Sequence, residues 1–141
     1  MVQSVTRTYL WAASIENRSA ALAEKLASLA AAGADLEFIL CRRVGEDGSE
    51  GRVSVAPLKG DSQLKAAADA GFTRDRRVSA VRIQGPDEPG VGYLVCRAMG
   101  TEGINMRTVS AMRIGQDFVM YLTFDSDEIA DSAVKRLSRP V

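Results

Sequence analysis

Apolar and polar positions recur along this chain with two periods, and the switches between them mark out the elements. Residues 5–14 are rich in β-branched and aromatic types and predict a strand. Residues 20–32 then carry Leu22, Leu26 and Leu29 at i, i+4 and i+7, one stripe of an amphipathic helix. Gly33 is placed to stop it. Residues 36–43 predict a strand with apolar side chains on both faces, residues 46–51 a hairpin connection, and residues 52–58 an alternating return strand. Residues 62–70 predict a short helix packing through Leu64 and Ala68. Residues 72–76 are charged around one large apolar side chain, and predict a short edge strand that joins two halves.

The second half repeats this order. Residues 78–84 predict a strand with Val81 and Ile83 on one face, and residues 91–102 a helix through Val91, Leu94, Val95 and Ala98. Residues 106–114 and 118–124 predict strands joined by Gly115-Gln116-Asp117. In the latter strand Phe118, Met120, Leu122 and Phe124 share a face. Asp125, with Glu128 three residues on, predicts a capping box that opens a last helix over residues 126–136. That helix packs through Ile129, Ala133, Val134 and Leu137.

The two halves agree in spacing as well as order. Gly33 follows Ala20 by 13 positions, as Gly103 follows Gly90, and Asp35 follows Asn17 by 18, as Asn105 follows Asp87. Such a repeat defines two small modules, over residues 1–75 and 76–141. The class it predicts is α+β: two tandem ferredoxin-like βαββα(β) modules, each an antiparallel sheet with helices packed on one face. After Leu137 only Ser138, Arg139, Pro140 and Val141 follow. The second module therefore lacks residues for a final strand, which is expected to be missing or supplied by exchange, with residues 72–76 the candidate. An open edge invites pairing with another chain, and modules of about 70 residues bury little core alone. A homodimer is the expected state.

Composition narrows the function. Lys and Arg total 18 and Asp and Glu total 18, a formal net charge of zero. Nucleic-acid and membrane-surface partners favour a basic excess, so neither is expected. No apolar run approaches the roughly 20 residues of a membrane span. The N-terminus lacks the pattern of a signal peptide, and a cytoplasmic protein is expected. There is no histidine, and the two cysteines, Cys41 and Cys96, read as small apolar groups rather than a metal or redox pair. No nucleophile elbow, phosphate loop or dinucleotide fingerprint is present, and Cys96 has no histidine to activate it. Neither a catalytic centre nor a cofactor or metal is expected.

The repeated phrase resembles the ACT domain, a small amino-acid-sensing module of metabolic regulators. Asp87-Glu88-Pro89-Gly90 matches that family's turn between strand and helix, and Gly103-Ile104-Asn105-Met106 matches the segment that opens the next strand. The first copy keeps Gly33-Ala34-Asp35-Leu36 but has Asn17-Arg18-Ser19-Ala20 at the turn. The resemblance covers nearly the whole chain, as two copies with no catalytic domain. It implies a ligand site at Asp87, Glu88, Pro89, Gly90, Val91, Gly92, Asn105 and Met106, completed by a partner module. A second site would use Asn17, Arg18 and Asp35. The chemistry fits an amino acid. Unpaired amides at a helix start suit its carboxylate, and Asp87 and Asn105 offer oxygens to its ammonium.

Structural roles compete at each position. Asp87 could serve as a cap, Gly90 as a turn residue alone, Gly92 as a point of close packing and Asn105 as a bend. Gly33 and Gly103 read as helix stops. Met99, Met106, Met112 and Met120 read as core or interface filling, and Trp11 as a core or subunit-contact residue. Arg42-Arg43 and residues 74–77 read as solvated surface. The expected function is a non-catalytic regulatory protein that binds a small amino acid or related metabolite and acts on itself or on a metabolic enzyme. The alternatives are an oligomerisation module without a ligand and a small ferredoxin-like enzyme.

Overall fold

A computed structural model describes residues 4–141. In chain order these form β1 (Ser4–Thr8), β2 (Trp11–Glu16), α1 (Ala21–Ala31), β3 (Phe38–Val44), β4 (Glu50–Ala56), α2 (Gly60–Asp69) and β5 (Thr73–Arg74). They continue with β6 (Ser79–Pro86), α3 (Val91–Thr101), β7 (Thr108–Ile114), β8 (Asp117–Phe124) and α4 (Asp127–Leu137). The strands make two four-stranded antiparallel sheets, and the fold is the predicted α+β, ferredoxin-like one.

The first compact unit is Tyr9–Asp75, with sheet order β3-β4-β2-β5. Its core gathers Ala13, Leu29, Val53, Val55, Ala67 and Phe72. Leu22 and Leu26 of α1 pack against this cluster, as their spacing predicts. The short helix α2 turns Ala67 inward rather than Ala68, which is exposed. Phe72, the one large side chain in its charged stretch, is 1% exposed and drives the chain back into the core just before β5. Residues 73 and 74 then pair with β2 of the same unit.

The second unit joins β1 to Arg76–Val141, with order β1-β6-β8-β7. Here the structure corrects the sequence reading. The β-rich stretch over residues 5–14 is two strands in two sheets, β1 and β2. The expected division into 1–75 and 76–141 assigned both to the first module, but β1 pairs with β6 from Ser4↔Gln84 to Thr8↔Ala80. The edge expected to lack a strand is thus filled from within the chain, by Ser4–Thr8 and not by residues 72–76. Each unit thereby gains a fourth strand beside its first, β5 in one and β1 in the other.

The core of the second unit lies between the sheet and α3 and α4. It includes Val81, Ile83, Val95, Met99, Leu122 and Phe124, each 0% exposed. The apolar face of β8 is buried as predicted, and so is its other face, with Val119, Tyr121 and Thr123. The cap of α4 is Ser126, whose hydroxyl accepts from the Ile129 N–H at 3.2 Å, rather than Asp125. Both glycine stops behave alike. Gly33 and Gly103 take φ of +78° and +69°. The next amide in each case reaches back to the helix, Ala34 to Leu29 O at 3.0 Å and Ile104 to Met99 O at 2.9 Å.

Candidate functional site

The two repeats build the same local device. A strand ends, a polar turn crosses to a helix start, and that turn is tied to the tip of the neighbouring hairpin. In the second unit the Asp87 N–H donates to Gln116 O at 2.8 Å, and the Asp87 carboxylate lies 3.7 Å from Arg113 Nη1. In the first unit the Asn17 side-chain amide donates to Gly48 O at 3.0 Å. Each turn closes through an equivalent bond, Val91 N–H to Glu88 O at 3.1 Å and Ala21 N–H to Arg18 O at 3.1 Å.

Neither α1 nor α3 carries a side-chain cap. Asp87 is therefore not a capping residue, and beyond the Val91 N–H, which donates to Glu88 O, the first turn of α3 has no side-chain acceptor. Gly90 stands at φ +87°, a left-handed conformation that strains any side chain, yet a Cβ there would meet nothing within 4 Å. Gly92 also faces open space, so close packing does not explain it. Glu88, Pro89 and Gly90 are exposed and Asp87 is half-buried.

Asn105 and Met106 lie elsewhere. β6 and β7 both pair antiparallel with β8, so Asp87 follows the end of β6 while Asn105 precedes the start of β7. The whole of α3 separates them, about 16 Å at 1.5 Å per residue. Asn105 is exposed and makes no side-chain hydrogen bond to another described residue, whereas Met106 packs against the core. The same separation holds between Asn17 and the exposed Asp35 in the first unit. A single module thus brings together Asp87, Glu88, Pro89, Gly90, Val91 and Gly92, but not Asn105.

The first unit has a cleft of about 480 Å³ beside its turn. Asn17, Arg18 and Ser19 line it from the turn, and Cys41, Arg42 and Arg43 from β3. Gly51 also lines it, and a Cβ there would come within 2.7 Å of Ile15 Cγ1. Arg18 is held by carboxylates on both sides, Glu16 at 2.9 Å from its Nε and Glu24 through both terminal nitrogens. Hydrogen bonds to Glu24 and then Glu16 raise the Arg18 pKa, and the Arg18 guanidinium lowers that of Glu24. A larger cleft of about 650 Å³ on the other side of Arg18 is lined by Glu16, Glu24, Glu50 and Asp69 together with Lys25. Lys25 Nζ is occupied by Ala70 O at 2.8 Å.

Cys41, Arg42, Arg43 and Gly51 were missed as site residues in the sequence reading. Cys41 is exposed rather than buried, and the arginine pair lines the cleft. The repeat itself held the signal, since Arg43 occupies the register of Arg113, which faces Asp87. Among the described residues no group of three or more His, Cys, Asp or Glu is placed to hold a metal ion. No helix of the described residues is long and apolar enough to cross a membrane.

No protein-family model and no curated protein sequence matches this chain. Solved structures do. A Bacteroides thetaiotaomicron protein aligns at TM-score 0.77 and 18% identity, over 95% of this chain and 90% of that one. The ligand-free regulatory subunit of aspartate kinase from Thermus thermophilus aligns at TM-score 0.63 and 16% identity, over 97% and 96%. The regulatory subunit of aspartate kinase from Thermus flavus aligns at 0.59 and 16%, over 96% and 94%. At these identities the likeness is one of fold. The described chain shares the fold of those regulatory subunits over nearly their whole length.

Proposed function

We infer that this protein is a non-catalytic regulatory module of the cytoplasm that binds a small amino acid or related metabolite and acts as a homodimer, on itself or on a metabolic enzyme. The observation that carries this reading is the turn at Asp87–Gly90. It is tethered to the hairpin tip, it leaves the start of α3 uncapped, and it keeps space open over Gly90 and Gly92. A ligand carboxylate would meet free amides and the positive end of a helix dipole there. Asp87 would take the ammonium group. Because Asn105 sits at the far end of α3, a site that uses both residues takes Asp87 from one module and Asn105 from another. Ligand binding would then be coupled to how modules pair, and a ligand that prefers one pairing shifts the population toward it.

The test is a thermal-shift panel of the twenty amino acids at two protein concentrations. Binding to the folded state stabilises by RT ln(1 + [L]/Kd), about 2.7 kcal/mol at a hundredfold excess over Kd. One amino acid should raise the melting temperature, and Asp87→Ala and Asn105→Ala should each remove the effect while retaining the fold. A second reading, an oligomerisation module with no ligand, draws on the exposed Val109, Met112 and Ile114 along the edge strand β7. A flat panel together with a concentration-dependent melting temperature would select it.

A further inference from the structure

Four strands lie at sheet edges, β1 and β7 in one sheet and β3 and β5 in the other. An unpaired edge invites another strand, and natural edges are blunted by shortness or by charge. β5 is two residues long. β1 exposes no large apolar side chain, and its Val5 packs into the core. β3 carries Arg42 and Arg43, both exposed, which follow one another and so set a charge on each face of that edge.

β7 lacks these protections. Its one charge, Arg113, lies 3.7 Å from the Asp87 carboxylate of its own unit. Val109, Met112 and Ile114 are 45%, 61% and 58% exposed, three of the six large apolar side chains that the described residues expose. Val109 stands opposite Leu122, on the helix side of the sheet, and Met112 opposite Val119, on the other side. Apolar surface therefore wraps both faces of this edge.

Self-pairing suits the strand. An antiparallel pair centred on Ala111 overlaps all seven residues of β7. Arg113 then faces Val109 of the second copy, and no like charges stand directly opposite. Because paired strands run in opposite directions, the start of β7 in one copy lies beside the end of β7 in the other. Asn105 precedes that start, and Asp87 is tied to the hairpin tip beyond that end through Gln116. The pairing brings to one end of the interface two residues that α3 holds apart within a unit. A two-fold axis makes it do so twice.

We propose that β7 is the interface with a second copy of this chain, and that each copy completes the other's ligand site, Asp87 from one and Asn105 from the other. The shared site rests on the reading of the Asp87 turn as a ligand site; the interface does not.

Sedimentation velocity over a range of concentrations tests the interface. It is run on the full chain, on Met112→Lys/Ile114→Lys, and on Ile39→Lys, which changes the counterpart of Val109 on β3. All three side chains are exposed, so the variants should fold, as circular dichroism will check. The parent should dimerise, the β7 variant should need a roughly tenfold higher concentration or more, and Ile39→Lys should behave as the parent. A monomeric parent, a β7 variant that dimerises unchanged, or an Ile39→Lys variant that dissociates as readily would overturn the interface. Mixing tests the shared site. Asp87→Ala and Asn105→Ala are each run against the twenty amino acids by thermal shift, alone and after exchange in an equal mixture. Neither should respond alone, and the mixture should, because a mixed dimer holds one site with both residues intact. A variant that responds alone, or a mixture that ignores an amino acid that stabilises the parent, would overturn the shared site and leave the interface standing. A flat panel for the parent would overturn the ligand reading itself, and the shared site with it.

Discussion

Arg7 and Asp127 are 120 residues apart in the chain, and their side chains meet at 2.8 Å. The same guanidinium reaches Asp131 at 2.5 Å, and Ser79 donates to Asp127 from β6. Strand β1 is thereby fastened to α4 as well as hydrogen-bonded to β6. Arg7→Ala should lower stability by about 1 kcal/mol, since the pairs are partly exposed and salt-screened. Deleting residues 1–8 should do far more, by removing the edge strand and Val5 from the core of the second unit. Denaturant midpoints for both, with sedimentation of the truncated chain, test this; a truncated chain as stable as the full one would contradict the role given to β1.

Phe72 anchors the end of the first unit. Truncating a buried aromatic side chain costs about 3–5 kcal/mol, and this unit has a small core. Phe72→Ala should therefore unfold Tyr9–Asp75 at a lower denaturant concentration than the second unit. Hydrogen exchange resolved by unit is the measurement, with early loss of protection expected over β2 to β5.

Gly90 and Gly51 should respond to alanine for different reasons. At Gly90 the space is open and the cost is backbone strain, about 1–2 kcal/mol in the left-handed region. At Gly51 the backbone is ordinary and the cost is overpacking against Ile15, about 1–3 kcal/mol. The second-site change Ile15→Ala, which removes the clashing Cγ1, should make Gly51→Ala cost less than it does beside Ile15 and leave the cost of Gly90→Ala as it was.

The pairing of Glu24 with Arg18 makes stability depend on acid. Arg18 depresses the folded-state pKa of Glu24, so the unfolded chain binds this proton more readily. The contribution is present above the unfolded glutamate value of about 4.3 and disappears as pH falls through the folded one. Glu24→Gln should be less stable than the parent at neutral pH and should converge on it below that window. A difference that persists at pH 2 would exclude this origin. The group is fully solvated, so the effect should shrink in high salt.

Much of this architecture was legible because it is local and repeated. The leucine stripe of α1, the equivalent stripe of α3 and the glycines that end them depend on residues within a few turns of one another. The split between β1 and β2 was not legible. A ten-residue stretch rich in β-formers looks alike whether it serves one sheet or two, and only pairing with β6, more than seventy residues on, and the contacts of Arg7 with α4 show where its first four residues belong. The cap at Ser126 was missed by one position because Asp125 is an equally good capping type. Of the site, the turn at Asp87–Gly90 was readable from its residue types. Its separation from Asn105 required the strand directions, and the cleft beside the first turn required the folded first unit.

The placement of β1 also sets an order of events during synthesis. It is made before every residue it pairs with, and all of Tyr9–Asp75 is made in between. The first unit can close its own sheet while the chain is still growing, but the second must wait for α4 and then recapture a strand made more than a hundred residues earlier. Until then β1 is an unpaired edge, open to the same strand of a neighbouring nascent chain. Closing the first sheet pairs Trp11 with Arg74, so β1 and the segment that leads into β6 leave that unit from neighbouring strands.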